Sequence, residues 1–158
     1  MRTPITYYVG KQRLVKELIS LLPDHNLYVE AFAGGGALFF AKEPGKAEIL
    51  NDTNGAVINF YSVAQSQFEA LKSKIDGTLH SRSIYKEAYQ VYKHPQKHDP
   101  VTKAWAFWVV TNQGFSGKIG SWAVAKNNKI GKTLAGKRES FTTDYAERLK
   151  HTQIESAD

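Results

Sequence analysis

The 158-residue sequence has no cysteine, a single methionine and five prolines, no two of them adjacent. Without cysteine there is no disulfide framework, no thiolate metal site and no thiol nucleophile, so any chemistry falls to oxygen, nitrogen or a bound cofactor. No apolar run approaches the ~18 residues of a membrane-spanning helix. The opening Met1–Thr6 lacks the apolar region of a signal peptide, and the expectation is a cytoplasmic protein. Acid is also missing locally: between Val101 and Arg138 there is neither Asp nor Glu, while Lys103, Lys118, Lys126, Lys129, Lys132, Lys137 and Arg138 are all basic. The whole chain carries +6, so the remainder is nearly neutral. Such a local surplus is the footprint of a polyanion-binding surface, because neutralised phosphates release counterions. The competing reading is a solvated lysine-rich face.

With 42% hydrophobic and 23% charged residues, the composition is that of one globular domain. Leu14, Val15, Leu18, Ile19 and Leu22 recur at helical spacing from Arg13, and Pro23 closes the segment. Leu27–Phe32 reads as a strand running into Gly34-Gly35-Gly36, after which Ala37–Phe40 resumes as a helix. Ala47–Leu50 is a second strand ending at Asn51-Asp52-Thr53-Asn54, and Ala56–Ala64 is helical. This alternation predicts an α/β fold with a parallel sheet. Beyond it, Ser66 and Glu69 form a capping-box pattern opening a helix towards Ile75. Ser83–Lys93 is a further helix, and Asp99-Pro100 starts another that runs to about Thr111. The glycine-rich stretch Gly114–Gly136 is expected to form a β-hairpin or long loop turning at Lys126-Asn127-Asn128-Lys129. A short helix at Asp144–Glu147 and a strand from Thr152 to Asp158 complete the pattern.

A glycine loop between strand and helix lets a ligand approach backbone directly. A dinucleotide fold needs a third small residue three positions after the second glycine, beneath the pyrophosphate. Here that position is Phe39, so a nucleotide-like ligand without a pyrophosphate, such as S-adenosylmethionine, fits better. Asp52, at the end of the next strand, stands where a carboxylate could accept from both ribose hydroxyls, or could cap the following helix.

Four segments, in order, resemble the Dam-like, D12-class DNA adenine N6-methyltransferases. Tyr7-Tyr8-Val9-Gly10-Lys11 is similar to the family's N-terminal Trp-x-Gly-Gly-Lys, with Tyr7 for tryptophan and Val9 for the first glycine. Glu30-Ala31-Phe32-Ala33-Gly34-Gly35-Gly36 resembles its Pro-Phe-x-Gly-x-Gly loop, with Ala31 for the proline. Leu50-Asn51-Asp52-Thr53-Asn54 resembles Asp-x-Asn, and Gly114-Phe115-Ser116-Gly117 resembles the opening of its DNA-contacting hairpin.

The resemblance implies a Rossmann-like methyltransferase fold with a mainly helical DNA-recognition insert. Residues 1–65 would form the cofactor part, 66–150 the target-recognition region and 151–158 the start of a returning strand. It implies S-adenosylmethionine as cofactor and double-stranded DNA as partner, in methylation of the restriction-modification kind, with no metal. Tyr7, Lys11, Phe32, Gly34, Gly36, Asp52 and Asp158 would hold the cofactor. Lys118, Lys126, Asn127, Asn128, Lys129, Lys132, Lys137 and Arg138 would meet DNA. The family's catalytic Asp-Pro-Pro-Tyr motif does not occur in these residues, so the expectation is a fragment or split subunit, inactive alone and completed by a C-terminal companion polypeptide. The alternative is a non-catalytic basic nucleic-acid-binding module whose glycine loop is structural. Other motifs fail on their own terms. Gly131-Lys132-Thr133 has Lys126 where a P-loop needs glycine, and Lys118 spoils a nucleophile elbow at Gly114–Lys118. Pro95 separates His94 from His98, which are read as solvated, and Tyr28, Phe32, Trp105 and Trp108 are read as core.

Overall fold

The short apolar runs that flank the glycine cluster become the sheet. In the computed structural model, which describes residues 1–8, 10–124 and 129–158 and only the backbone of 129–132, β1 (Leu27–Glu30) lies parallel to β2 (Ala47–Asn51), with Val29 opposite Ile49. On the other side of β2 runs β3 (Thr152–Glu155), also parallel, with Ile154 opposite Leu50. Parallel neighbours need a crossover. Between β1 and β2 it is the short α2 (Ala37–Ala41); between β2 and β3 it is most of the remaining chain. The fold is therefore mixed α/β on a small parallel sheet, as the alternation predicts. Tyr28, Glu30, Glu48 and Leu50 point to the covered face, whereas Leu27 and Val29 stay more than half exposed on the other.

The first helix is shorter than its periodicity suggests. A 3-10 turn at Lys11–Arg13 precedes α1 (Val15–Ser20), in which Val15 alone is buried while Leu14 and Ile19 face outward. The apolar stripe is present but nothing in the described residues covers most of it. The helix α3 (Gly55–Ser66) is capped by Asn54, whose side-chain oxygen accepts from Ala56 N at 3.0 Å, and not by Asp52. The expected capping box at Ser66 is not formed, because Ser66 Oγ turns back to the Ser62 carbonyl at 2.7 Å and α4 (Phe68–Asp76) begins after Gln67 without a side-chain cap. Ser81 starts α5 (Arg82–Lys93), accepting from Ser83 N, and the helix ends before Pro95 as predicted.

The core is organised around α6 (Pro100–Asn112), which Asp99 opens by accepting from Thr102 N at 2.9 Å. Ala104, Ala106, Phe107, Trp108, Val109 and Val110 are fully buried, so the helix is apolar on nearly every side and must be surrounded. It packs against α3, α4 and α5. Trp108 and Tyr28 are core as expected, and Trp105 is partly buried with its indole N–H donated to Thr78 Oγ1 at 2.8 Å. Phe32 departs from that expectation: it is 77% exposed, lying in the loop beyond the end of the strand at Glu30.

Among the described residues the glycine-rich segment forms neither the paired strands of a β-hairpin nor one long loop. Among the described residues its strand pairing is one bridge between Gly114 and Trp122, and α7 (Lys129–Ser140) occupies the stretch expected to return as a strand. Residues 126–128 of the expected turn lie outside the described residues, and Lys129 begins the helix. Glycines read as loop signals are here carried inside a helix, at a cost each of about 1 kcal/mol relative to alanine. The last helix, α8 (Asp144–Leu149), leads into β3.

A buried ion network ties the sheet to its two flanking helices. Glu48 on β2 accepts from Lys42, at the end of α2, at 2.5 Å and from both terminal nitrogens of Arg148 on α8. Arg148 also lies over the Phe39 ring at 3.7 Å and donates to the Phe39 carbonyl at 2.8 Å. Burial pushes the Glu48 carboxyl up, but the hydrogen bonds from Arg148, Lys42 and Gly45 N–H overcome it and hold it below the usual glutamate range. A depressed native value means that Glu48 contributes stability above its unfolded pKa and loses it as pH falls through the native one. Glu48→Gln, which leaves two cations without their counter-charge, should cost about 3–5 kcal/mol at neutral pH. It should also flatten the acid limb of stability measured by urea unfolding, where pH falls through the lowered Glu48 pKa. Gly136 offers a test of the opposite sign, since a Cβ added there meets nothing within 4 Å. Gly136→Ala should raise stability by about 0.5–1 kcal/mol, read as a higher urea midpoint at unchanged slope.

Candidate cofactor site

The chain leaves β1 at Glu30 and reaches α2 through Ala31–Gly36, a loop that needs two left-handed positions. Gly34 (φ 49°) and Gly36 (φ 62°) supply them. Three hydrogen bonds fix the loop in place. Gly34 N donates to Asp52 Oδ2 at 2.7 Å, Ala33 N donates to the Asn51 carbonyl at 2.9 Å, and the buried Tyr61 hydroxyl donates to the Gly34 carbonyl at 3.0 Å. The other Asp52 oxygen accepts from Asn54 N at 2.9 Å. Asp52 is thus a loop anchor at the end of β2 and leaves the capping of α3 to Asn54.

The N-terminal segment crosses over this loop. A Cβ on Gly34 would stand 3.1 Å from a Tyr7 ring carbon, and one on Gly35 would stand 3.1 Å from Tyr7 Cβ. Tyr7 leaves little room for a side chain at either position, and at Gly34 the positive φ adds to the demand for glycine. Gly36 serves packing, since a Cβ would come within 2.9 Å of the Phe40 ring. Between the N-terminal segment and the loop is a cavity of about 500 Å³, walled by Tyr7, Lys11, Glu30, Phe32, Gly34 and Asp52 among others. That volume falls within the range of small-molecule sites. Five of the seven residues expected to hold a cofactor therefore meet in one cavity. Gly36 supports it from beneath. Asp158 does not line it; the chain end runs beside β2, where the Asn51 side chain bonds the N–H and carbonyl of Ala157.

Glu30 is the residue that sequence reasoning passed over, having been quoted only as part of the loop motif. It is 6% exposed; its Oε2 accepts from the Tyr28 hydroxyl and from Phe39 N, each at 3.0 Å, while buried Oε1 has no hydrogen-bond partner. The nearest cation to that oxygen is Lys11 Nζ, 3.9 Å away. Burial drives the Glu30 carboxyl above its usual range, against the opposing pull of Tyr28, Lys11 and Phe39. A charged residue inside an otherwise apolar strand was the available signal, because such residues are seldom buried without a partner.

The basic residues expected to meet DNA separate into three groups. Lys118 is exposed, just after the 3-10 turn Phe115–Gly117, beside Phe115, which is 64% exposed. Lys126, Asn127 and Asn128 lie outside the described residues, and of Lys129 and Lys132 the backbone alone is described, within α7. Lys137 and Arg138 turn inward. Arg138 donates to the Asp76 and Thr78 carbonyls at the end of α4, and Lys137 donates to Thr6 Oγ1 and Asn112 Oδ1. Burial pulls the Lys137 ammonium down to about 8.

Comparison with known proteins gives this geometry a family. The chain is 39% identical over 88 residues to the type II methyltransferase M1.LlaDCHI of Lactococcus lactis subsp. cremoris, an alignment covering 54% of this chain and 30% of that protein. It is 27% identical over 111 residues to the DNA N-6-adenine-methyltransferase of Escherichia phage P1, covering 68% of this chain and 14% of that one. The chain thus spans less than a third of the length of these relatives. Residues 7–158 match the model of the D12 class N6 adenine-specific DNA methyltransferases, and the chain belongs to that family.

Proposed function

We propose that this chain binds S-adenosylmethionine in the glycine-loop cavity and presents it to double-stranded DNA, as the cofactor and recognition part of an adenine N6-methyltransferase. The observation that carries the reading is the convergence of Tyr7, Lys11, Glu30, Gly34 and Asp52 on one cavity. Asp52 still has acceptor capacity beyond the two N–H groups it holds, enough for ribose hydroxyls. Tyr7 offers a ring face for stacking, and Phe32 an exposed apolar one. At the far end Lys11 and the unpartnered Glu30 oxygen form a pair of opposite signs, matched to the carboxylate and ammonium of a methionine group. When bound, the sulfonium cofactor supplies an electrophilic methyl carbon.

The exocyclic amine of adenine is a poor nucleophile, because its lone pair is delocalised into the ring. Acceptors placed against its hydrogens, and a flipped-out base, are needed to make it react. No Asp-Pro-Pro-Tyr motif lies within residues 1–158, so these acceptors come from another polypeptide segment. The sheet supports this: among the described residues β1 pairs with β2 alone, and Leu27 and Val29 are bare, although parallel sheets are ordinarily covered on both faces. Lys118, with Lys126, Asn127, Asn128, Lys129 and Lys132, forms the DNA-facing basic segment in this reading; Lys137 and Arg138 act from inside it.

Three measurements test the assignment. S-adenosylmethionine should raise the melting temperature of the chain, and Asp52→Ala should weaken its binding by roughly 1.5–3 kcal/mol, the range of a charge-assisted hydrogen bond. Because Asp52 also anchors Gly34, affinity is compared only in a variant shown by circular dichroism to be folded. Unchanged affinity there removes Asp52 from the cofactor site. In a tritium-transfer assay on adenine-rich DNA, residues 1–158 alone should transfer no methyl group, and a second polypeptide carrying the missing motif should restore transfer to adenine. Turnover by this chain alone would overturn the division of labour.

A further inference from the structure

The cofactor cavity is joined to the recognition helices by a polar junction. Thr6 stands at its centre. Its hydroxyl accepts from Lys137 Nζ on α7 and donates to Asn112 Oδ1 on α6 at 3.0 Å. Lys137 Nζ also donates to the same Asn112 oxygen, at 2.7 Å, and Asn112 Nδ2 reaches back to the Pro4 carbonyl at 3.3 Å. From a third direction Gly117 presses on the same segment, so closely that a Cβ there would stand 2.8 Å from the Thr6 carbonyl oxygen. Three elements of the recognition region therefore grip residues 4–6. The next residue is Tyr7, whose ring lies against Gly34 and walls the cavity.

A lysine is an expensive way to fill this position. Its ammonium is partly withdrawn from water, its bonded acceptors are neutral oxygens, and among the described residues no carboxylate lies within ion-pair distance of it. Packing alone would be served by an apolar side chain. The ammonium adds two directed bonds that fix α7 relative to the tyrosine segment.

We propose that Lys137 is a positioning residue that couples the two ligands: DNA held against α7 sets Thr6, and through it Tyr7, so that DNA and S-adenosylmethionine bind cooperatively. This rests on the reading of the cavity as the cofactor site and of the basic segment as the DNA surface. Coupling between two binding equilibria is reciprocal, so it is measurable from either side.

The test is calorimetric titration of S-adenosylmethionine into residues 1–158, with and without a saturating adenine-containing duplex. In the wild type the duplex should raise affinity by about tenfold. In Lys137→Met each ligand should still bind, with the factor falling to about twofold or less, and Lys137→Arg, which restores the donors, should recover most of it. A second readout needs no ligand: Lys137→Met should shift the Tyr7 ring resonances and leave those of Tyr85, held by Gly120 N at 2.9 Å, in place. If Lys137→Met does not fold, Thr6→Val removes the same bond from its other end and is measured in the same way. Equal cofactor affinity with and without DNA in the wild type overturns the inference, as does full coupling with unmoved Tyr7 signals in the variants. Absence of any cofactor binding to the wild type instead overturns the reading of the cavity, and the inference with it.

Discussion

The hydrogen bond from Gly34 N to Asp52 Oδ2 is the contact on which the site depends. It joins the loop after β1 to the end of β2, two ends that the parallel register brings side by side and that Ala33 N, donating to the Asn51 carbonyl, also ties together. Its companions act on the same loop: Tyr61 donates to the Gly34 carbonyl, and the Tyr7 ring lies against Gly34. A carboxylate accepting from backbone N–H groups is among the stronger neutral-to-charged contacts available, and here it is largely buried at the wall of the cavity. The cavity is shaped by backbone held from below, with side chains added around its rim.

That arrangement separates strength from readiness. Glu48 shows what a satisfied buried carboxylate looks like, surrounded by Lys42, Arg148 and Gly45 N and drawn to a low pKa. Glu30 lies on the same face of the sheet with one oxygen lacking a hydrogen-bond partner, and there burial prevails and drives the carboxyl the other way. The difference is a matter of surroundings: Glu48 is enclosed by α2 and α8, whereas Glu30 opens on the cavity. A carboxylate kept short of donors is stabilised by whatever supplies one, so part of the folding free energy given up at Glu30 is available to a cationic group entering beside it.

Much of the site was readable in the sequence because it is local. The strand, glycine loop and helix around Gly34 and Gly36 follow from apolar runs and glycine chemistry, and Asp52 follows from the end of the next strand. What the sequence hid was direction. Lys137 belongs to an acid-free run, which tells the sign of the surface but not that this side chain turns in to Thr6 and Asn112. Helix α7 was obscured by Gly131 and Gly136, which read as turns until packing and the neighbouring alanine, leucine and lysine residues are seen to favour a helix. Asp52 looked equally fit for capping α3, and that ambiguity ends only where Asn54 is found in the cap. Periodicity identified the apolar stripe of α1 correctly and said nothing of whether a neighbour would cover it.

The bare outer side of β1 also bears on how this polypeptide behaves at high concentration. A strand whose outer edge is unpaired among the described residues, with Leu27 and Val29 exposed, is a template for any other strand of like character, including the same one in a second molecule. The net charge of +6 opposes such self-association by mutual repulsion. Salt, which screens that repulsion within about 10 Å at ~0.1 M, leaves the apolar attraction intact. Colloidal stability of the isolated chain therefore rests on its basic residues, the same ones that would be neutralised on a polyanion, so that solubility and nucleic-acid affinity draw on one reserve of charge.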